Sequence, residues 1–132
     1  MLAQLREHQT PLADLAPSTD SMCRWDAENA AYIVELKNRP GKQYPDTLIE
    51  RSKYDALLAE AETSGRKALY VVQSAGRIYI WNLTRLARLD YNFKWHTRGC
   101  RATTEFANTG YINKEVGYLQ WTDARVVIDV NP

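Results

Sequence analysis

The sequence predicts an α+β fold, a central mixed β-sheet with flanking helices, and three observations carry that expectation. Ala31–Lys37, Ala68–Gln73 and Arg77–Asn82 are runs rich in β-branched and aromatic residues, the composition of buried strands. Between the first two lies a helical segment, Leu48–Ser64, in which Ile49, Lys53, Ala56, Leu57 and Ala61 share one face. A strand, a crossover helix and a strand in that order form a right-handed unit with parallel pairing. Ser74-Ala75-Gly76 is a turn, which makes Arg77–Asn82 the antiparallel return and the sheet a mixed one.

The remaining elements follow in order. Leu2 to His8 have helical spacing, and Pro11 interrupts them. Pro17, Ser18 and Thr19 read as a connector. Met22–Asp26 reads as a strand, with a turn in Ala27-Glu28-Asn29-Ala30 before Ala31–Lys37. Pro40-Gly41-Lys42 ends that strand, and a loop runs to Pro45. Thr47 and Glu50 have the capping-box spacing for a helix start, and Gly65 fits its C-terminal cap. Thr84–Asp90 reads as a short helix. Cys100–Phe106 and Tyr111–Trp121 flank the hairpin signal Asn108-Thr109-Gly110, and Val126–Val130 reads as a final strand. The tail is therefore β-rich, and no internal repeat is visible.

At 132 residues, with 45% apolar and 25% charged residues, the chain reads as one soluble domain, residues 1–132. No apolar run suits a membrane span and no leader pattern is present, so a cytoplasmic setting and no membrane partner are expected. Cys23 and Cys100 lack metal-ligand spacing and read as reduced thiols. A formal net charge of +1 does not announce a nucleic-acid binder. Its distribution says more: Arg85, Arg88, Lys94, His96, Arg98 and Arg101 interleave with Tyr91, Phe93 and Trp95. That mixture suits phosphate contacts with base stacking, and equally suits an amphipathic element with a solvated face. His8 and His96 stand alone, no glycine-rich phosphate loop occurs, and no serine or cysteine nucleophile has an evident base.

The chemistry-bearing stretch is Tyr32 to Arg39. Glu35 and Lys37 lie two residues apart in a strand and so share a face. Nine residues before Glu35, across the turn, stands Asp26. Two acids that share a divalent cation, with a lysine beside them, suit metal-dependent hydrolysis of a phosphodiester. Glu-x-Lys by itself is common, and reads equally as a surface ion pair worth about 0–1 kcal/mol. Asp20 is the alternative first acid, because a turn centred on Ala27-Glu28 would set it opposite Glu35. Glu28 reads as a turn residue, and Glu50 is explained by capping. Lys53 interrupts an apolar stripe, where it could snorkel to solvent or face the acids.

The segment Asp26-Ala-Glu-Asn-Ala-Ala-Tyr-Ile-Val-Glu35-Leu-Lys37, followed by a helix and a hydrophobic strand, resembles the PD-(D/E)XK nuclease superfamily over about Ser18 to Leu83. Trp25 stands where the motif has its proline. The resemblance implies a restriction-endonuclease-like core, αβββαβ, and a small phage-type or Holliday-junction-resolvase-like enzyme. It implies that Asp26, Glu35 and the Leu36 carbonyl hold Mg²⁺, with Mn²⁺ able to substitute. Lys37 would orient water or stabilise charge, rather than act as the base, because flanking carboxylates keep a lysine protonated. It also places Lys53 where related enzymes often carry a basic or amide residue facing the site, and Glu7 where many carry an extra metal-shell acid; the other reading of Glu7, and the favoured one, is a solvated helix residue. The expected activity is a Mg²⁺-dependent deoxyribonuclease, an endonuclease rather than an exonuclease. DNA contacts are expected from Arg39, Lys42, Arg98, Arg101 and Lys114. Cutting both strands of a duplex makes a homodimer plausible. Two alternatives stay open: a non-catalytic nucleic-acid-binding or protein-interaction module on the same frame, and a β-rich interaction domain in which Glu35 and Lys37 are only an ion pair.

Overall fold

A computed structural model of the chain describes residues 1–18, 24–101 and 111–130. Among these residues it has helices α1 (Leu2–His8), α2 (Arg51–Ser64) and α3 (Leu83–Arg88). The strands are β1 (Ala16–Pro17), β2 (Ala27–Glu28), β3 (Tyr32–Asn38), β4 (Asp46–Glu50), β5 (Lys67–Ser74), β6 (Arg77–Asn82), β7 (His96–Arg101), β8 (Tyr111–Gln120) and β9 (Val126–Asp129). A six-stranded mixed sheet has the order β1-β2-β3-β5-β6-β9, and a three-stranded antiparallel sheet the order β4-β8-β7. The expected α+β class with a mixed central sheet is what the chain adopts.

The parallel pair is β3 with β5, in register Glu35↔Tyr70 and Lys37↔Val72, with α2 as the crossover. Every other pairing is antiparallel. β5 and β6 are joined by a two-residue turn in which Ala75 (φ 50°) and Gly76 (φ 76°) are both left-handed, the geometry of a hairpin turn. Gly65 (φ 70°) ends α2, and the N–H of Arg66 returns to the Ala61 carbonyl at 2.9 Å.

Side-chain alternation along β3 sorts the core into two layers. Val34 packs with Leu5, Leu12, Leu15, Val71, Ile78 and Ile128, so α1 covers that face. Ile33 packs on the other face with Tyr54 and Leu57 of α2, Ile49 of β4, Trp81 of β6 and Leu119 of β8. Burying each such side chain contributes roughly 1.5–3 kcal/mol. Glu35 and Lys37 share the face of Ile33, between the main sheet, α2 and the small sheet.

Four expectations need correction. Thr47 and Glu50 do not form a capping box: Asp46–Glu50 is a strand paired with β8, Thr47 and Ile49 are buried by alternation, and α2 begins at Arg51. The hairpin turn lies two residues later than expected, because Ala27 and Glu28 are strand, paired with Val34 and Ile33. Asn29 makes that turn, its Oδ1 accepting from the N–H groups of Ala31 (3.0 Å) and Tyr32 (2.8 Å). Pro17 is not only connector but part of the edge strand β1. Of the expected strand Met22–Asp26, residues 24–26 are bends leading into β2 and not strand, while Met22 and Cys23, like Asp20 and the Asn108-Thr109-Gly110 turn, lie outside the described residues.

Candidate active site

The β2–β3 hairpin sets the first acid. Asp26 closes its open end: its N–H donates to the Val34 carbonyl at 2.9 Å, and its Oδ2 accepts from the Leu36 N–H at 2.8 Å. Backbone direction explains the second contact. Ala31 and Arg39 bond to β5, so in an alternating parallel ladder Leu36 turns its backbone towards β2. Trp25 and Glu28 brace the hairpin against α2. The Trp25 indole donates to Glu28 at 2.6 Å, and Arg66 pairs with Glu28 at 3.2 Å and with Glu60 at 3.6 Å. The Trp25 hydrogen bond, with Arg66 beside it, holds Glu28 below the usual carboxylate range. Glu28 is thus a structural strand residue and not a free turn residue.

Glu35 is the acid at the centre, only 4% exposed. The Lys53 ammonium sits 2.9 Å from its Oε2 and donates to the Arg24 carbonyl at 2.9 Å. The Lys53–Glu35 contact is a close ion pair, and among the described residues it is the only ion pair that Glu35 makes. Burial in the first place, and then the Asp26 carboxylate within hydrogen-bonding reach, push Glu35 up to about 7; Lys53 pulls the other way without prevailing. Tyr70, Glu35's neighbour on β5, donates to the Leu48 carbonyl at 3.2 Å. Burial holds its hydroxyl up at about 12, so it stays protonated.

Lys37 follows on the same face, half-buried, with no ion pair among the described residues. A surface Glu35–Lys37 ion pair is therefore not what forms; Lys53 takes that place and faces the acids instead of solvent. Glu7 is exposed on α1, which covers the opposite face of the sheet from Glu35.

Could the acids hold a cation? Two carboxyl groups within hydrogen-bonding reach of each other, one of them buried, suit a hard divalent ion when both are ionised. Among the described residues no three His, Cys, Asp or Glu side chains converge. Mg²⁺ commonly takes one or two carboxylates and keeps several waters, so a third acidic side chain beside Asp26 and Glu35 is not required.

Beyond Lys37 the chain enters a groove of about 560 Å³, between the β3–β4 loop and the small sheet. It gathers Arg39, Lys42 and Arg98, three of the five expected DNA contacts, together with Tyr44, Tyr118 and Trp121. Arg98 donates to the Tyr118 hydroxyl at 2.8 Å. Lys114 is not among them: it pairs with Glu50 at 2.9 Å, in a separate charged cleft by the start of α2. Arg101 ends β7, and its side chain, like that of Cys100, lies outside the described residues.

The interleaved aromatics are not a stacking face. Phe93 is buried, stacks on Trp95 at 4.6 Å and meets Tyr54 edge-on at 4.8 Å, and Tyr91 packs against the same core. Arg85 and Arg88 sit on α3, which follows Asn82 at the end of the sheet away from Ser74 and the groove. Sequence reasoning missed Tyr44 and Trp121. The signal was present for Tyr44, an aromatic residue in a loop bounded by Pro40-Gly41 and Pro45. No helix among the described residues is long and apolar enough to cross a membrane. Comparison with protein-family models gave no match, and comparison with curated proteins gave none.

Proposed function

We propose that this chain is a divalent-metal-dependent deoxyribonuclease whose acids are Asp26 and Glu35. One observation carries the reading: Glu35 is a buried carboxylate held against a second carboxylate, and Lys53, its close cation, does not offset the cost of that burial, which a bound divalent cation would relieve. Support also comes from the groove that continues from β3, whose Arg39, Lys42 and Arg98 suit a phosphate backbone.

Asp26, Glu35 and the Leu36 carbonyl are the residues that would hold Mg²⁺ or Mn²⁺. Bound there, the ion supplies charge neutralisation at a phosphate and a more acidic water. The chain's own groups do the rest. Lys53 anchors the Glu35 carboxylate by ion pairing and leaves the Asp26 side free. Asp26 is aligned by the Leu36 N–H, which fixes one oxygen and leaves the other available. Lys37, uncommitted on the same face, is placed to donate to a phosphate oxygen as charge develops. Tyr70 stays neutral and anchors β4 at the floor of the site.

The test is cleavage of single-stranded, duplex and branched DNA with Mg²⁺ or Mn²⁺, by wild type, Glu35→Ala and Asp26→Ala. Wild-type cleavage that both variants lose is the expected result. No cleavage of any substrate with either metal sinks the proposal and leaves a non-catalytic binding module on this frame.

A further inference from the structure

Resting on that reading, we infer that the groove takes unpaired nucleotides, so that the substrate is single-stranded DNA or the splayed strand of a branch. A volume of about 560 Å³ lies within the roughly 300–1,000 Å³ that encloses one drug-sized molecule, on the scale of one or two nucleotides. Its lining combines two kinds of group. Arg39, Lys42 and Arg98 match phosphates, and Asp46, a carboxylate in the same lining, is engaged by Gln120 Nε2 at 3.4 Å. Tyr44 and Trp121 add aromatic surface within the same groove.

Tyr44 is the telling residue. Its side chain leaves it 71% exposed, while its backbone carbonyl accepts from the Trp121 indole at 2.6 Å. Trp121 is itself packed on Tyr79 (4.6 Å) and Trp81 (5.7 Å). An exposed ring is thus carried on a loop tied to the core, which lowers the ordering cost of stacking something on it. A duplex keeps its base faces stacked inside and offers a protein groove phosphates and base edges. It would use the three cations and leave Tyr44 idle. Unpaired bases use both, which is the general pattern of single-strand recognition.

The experiment is equilibrium binding in EDTA at fixed low salt, comparing labelled octathymidylate with a duplex, for wild type, Tyr44→Ala and Tyr44→Phe. Octathymidylate should bind wild type at least about ten-fold tighter than the duplex. Tyr44→Ala should weaken octathymidylate by about five- to hundred-fold and leave the duplex unchanged, with Tyr44→Phe near wild type. Tyr44 is exposed, so both variants should keep the wild-type melting temperature. Equal or tighter duplex binding overturns the inference, and so does a Tyr44→Ala variant that binds octathymidylate as wild type does. The two readings fail separately. A protein that prefers octathymidylate but cleaves nothing keeps this inference and loses the nuclease; one that cleaves through Glu35 without the preference does the reverse.

Discussion

Replacing Glu35 with glutamine should stabilise the metal-free protein in mild alkali. The folded carboxyl titrates near 7 against an ordinary value of 4.5, mainly because it is buried and secondarily because Asp26 lies beside it. Between those two pH values the unfolded chain has lost the proton and the folded chain keeps it, so folding takes up a proton. The resulting stabilisation is complete below about pH 4.5, falls as pH rises, and is gone once pH passes about 7. The difference corresponds to on the order of 3 kcal/mol. A neutral amide of the same shape carries no such dependence. Lys53 would lose its partner, but it retains the Arg24 carbonyl and is partly solvated, so the loss offsets little of the gain. In EDTA at pH 8, Glu35→Gln should therefore exceed wild type by roughly 1–3 kcal/mol, several degrees in melting temperature. Urea unfolding of both proteins from pH 4.5 to 8.5 measures it. Wild type should fall relative to the variant across the window, and Mg²⁺ at pH 8 should raise wild type and leave the variant unmoved. Parallel pH profiles for the two proteins would refute the reasoning, because they would mean that Glu35 ionises as freely folded as unfolded.

Three further perturbations have defined outcomes. Lys37→Ala should lower cleavage by about 10²–10³-fold while shifting stability by less than about 0.5 kcal/mol, read by initial rates and denaturation, since Lys37 pairs with nothing described. Gly117→Ala should cost about 1–3 kcal/mol, because a Cβ there would meet Phe93 at 2.8 Å and Trp95 at 3.0 Å. A denaturation midpoint equal to wild type would show that this contact is slack. Ala75→Asn should raise stability by about 0.4–1 kcal/mol, since the residue already sits at φ 50° ahead of Gly76 and asparagine tolerates that conformation better; a lower midpoint would contradict the turn geometry.

What was legible in the sequence was local. Asp26, Glu35 and Lys37 fall on one hairpin, and a helix followed by a β-branched run fixes the parallel strand, so pattern alone assembled that part of the site. Lys53 could be placed because helical phase is readable, although only the structure shows it 2.9 Å from Glu35. The small sheet was not legible. Thr47-x-x-Glu50 satisfies the spacing of a helix cap, and nothing nearby reveals that Ile49 pairs with Gly117, far along the chain. The same distance hid the groove, whose rings and cations come from the β3–β4 loop, β7, β8 and the turn after β8. Phe93 and Trp95 misled for the converse reason. Alternation with basic residues resembles a binding face, but the partner that buries them is the bare backbone at Gly117, which no side-chain pattern announces.

The junction between β4 and α2 has a mechanical consequence. β4 ends at Glu50 and α2 starts at Arg51, with no loop between them to absorb displacement. A displacement of the small sheet, which walls the groove, would therefore pass directly to the helix that carries Lys53. A strand bound in the groove and pressing on that sheet would bear on the Lys53–Glu35 contact three residues beyond the junction. If the groove takes a strand as proposed, its occupancy and the grip on the buried acid would be linked through this junction, and two glycines inserted after Glu50 would loosen that link.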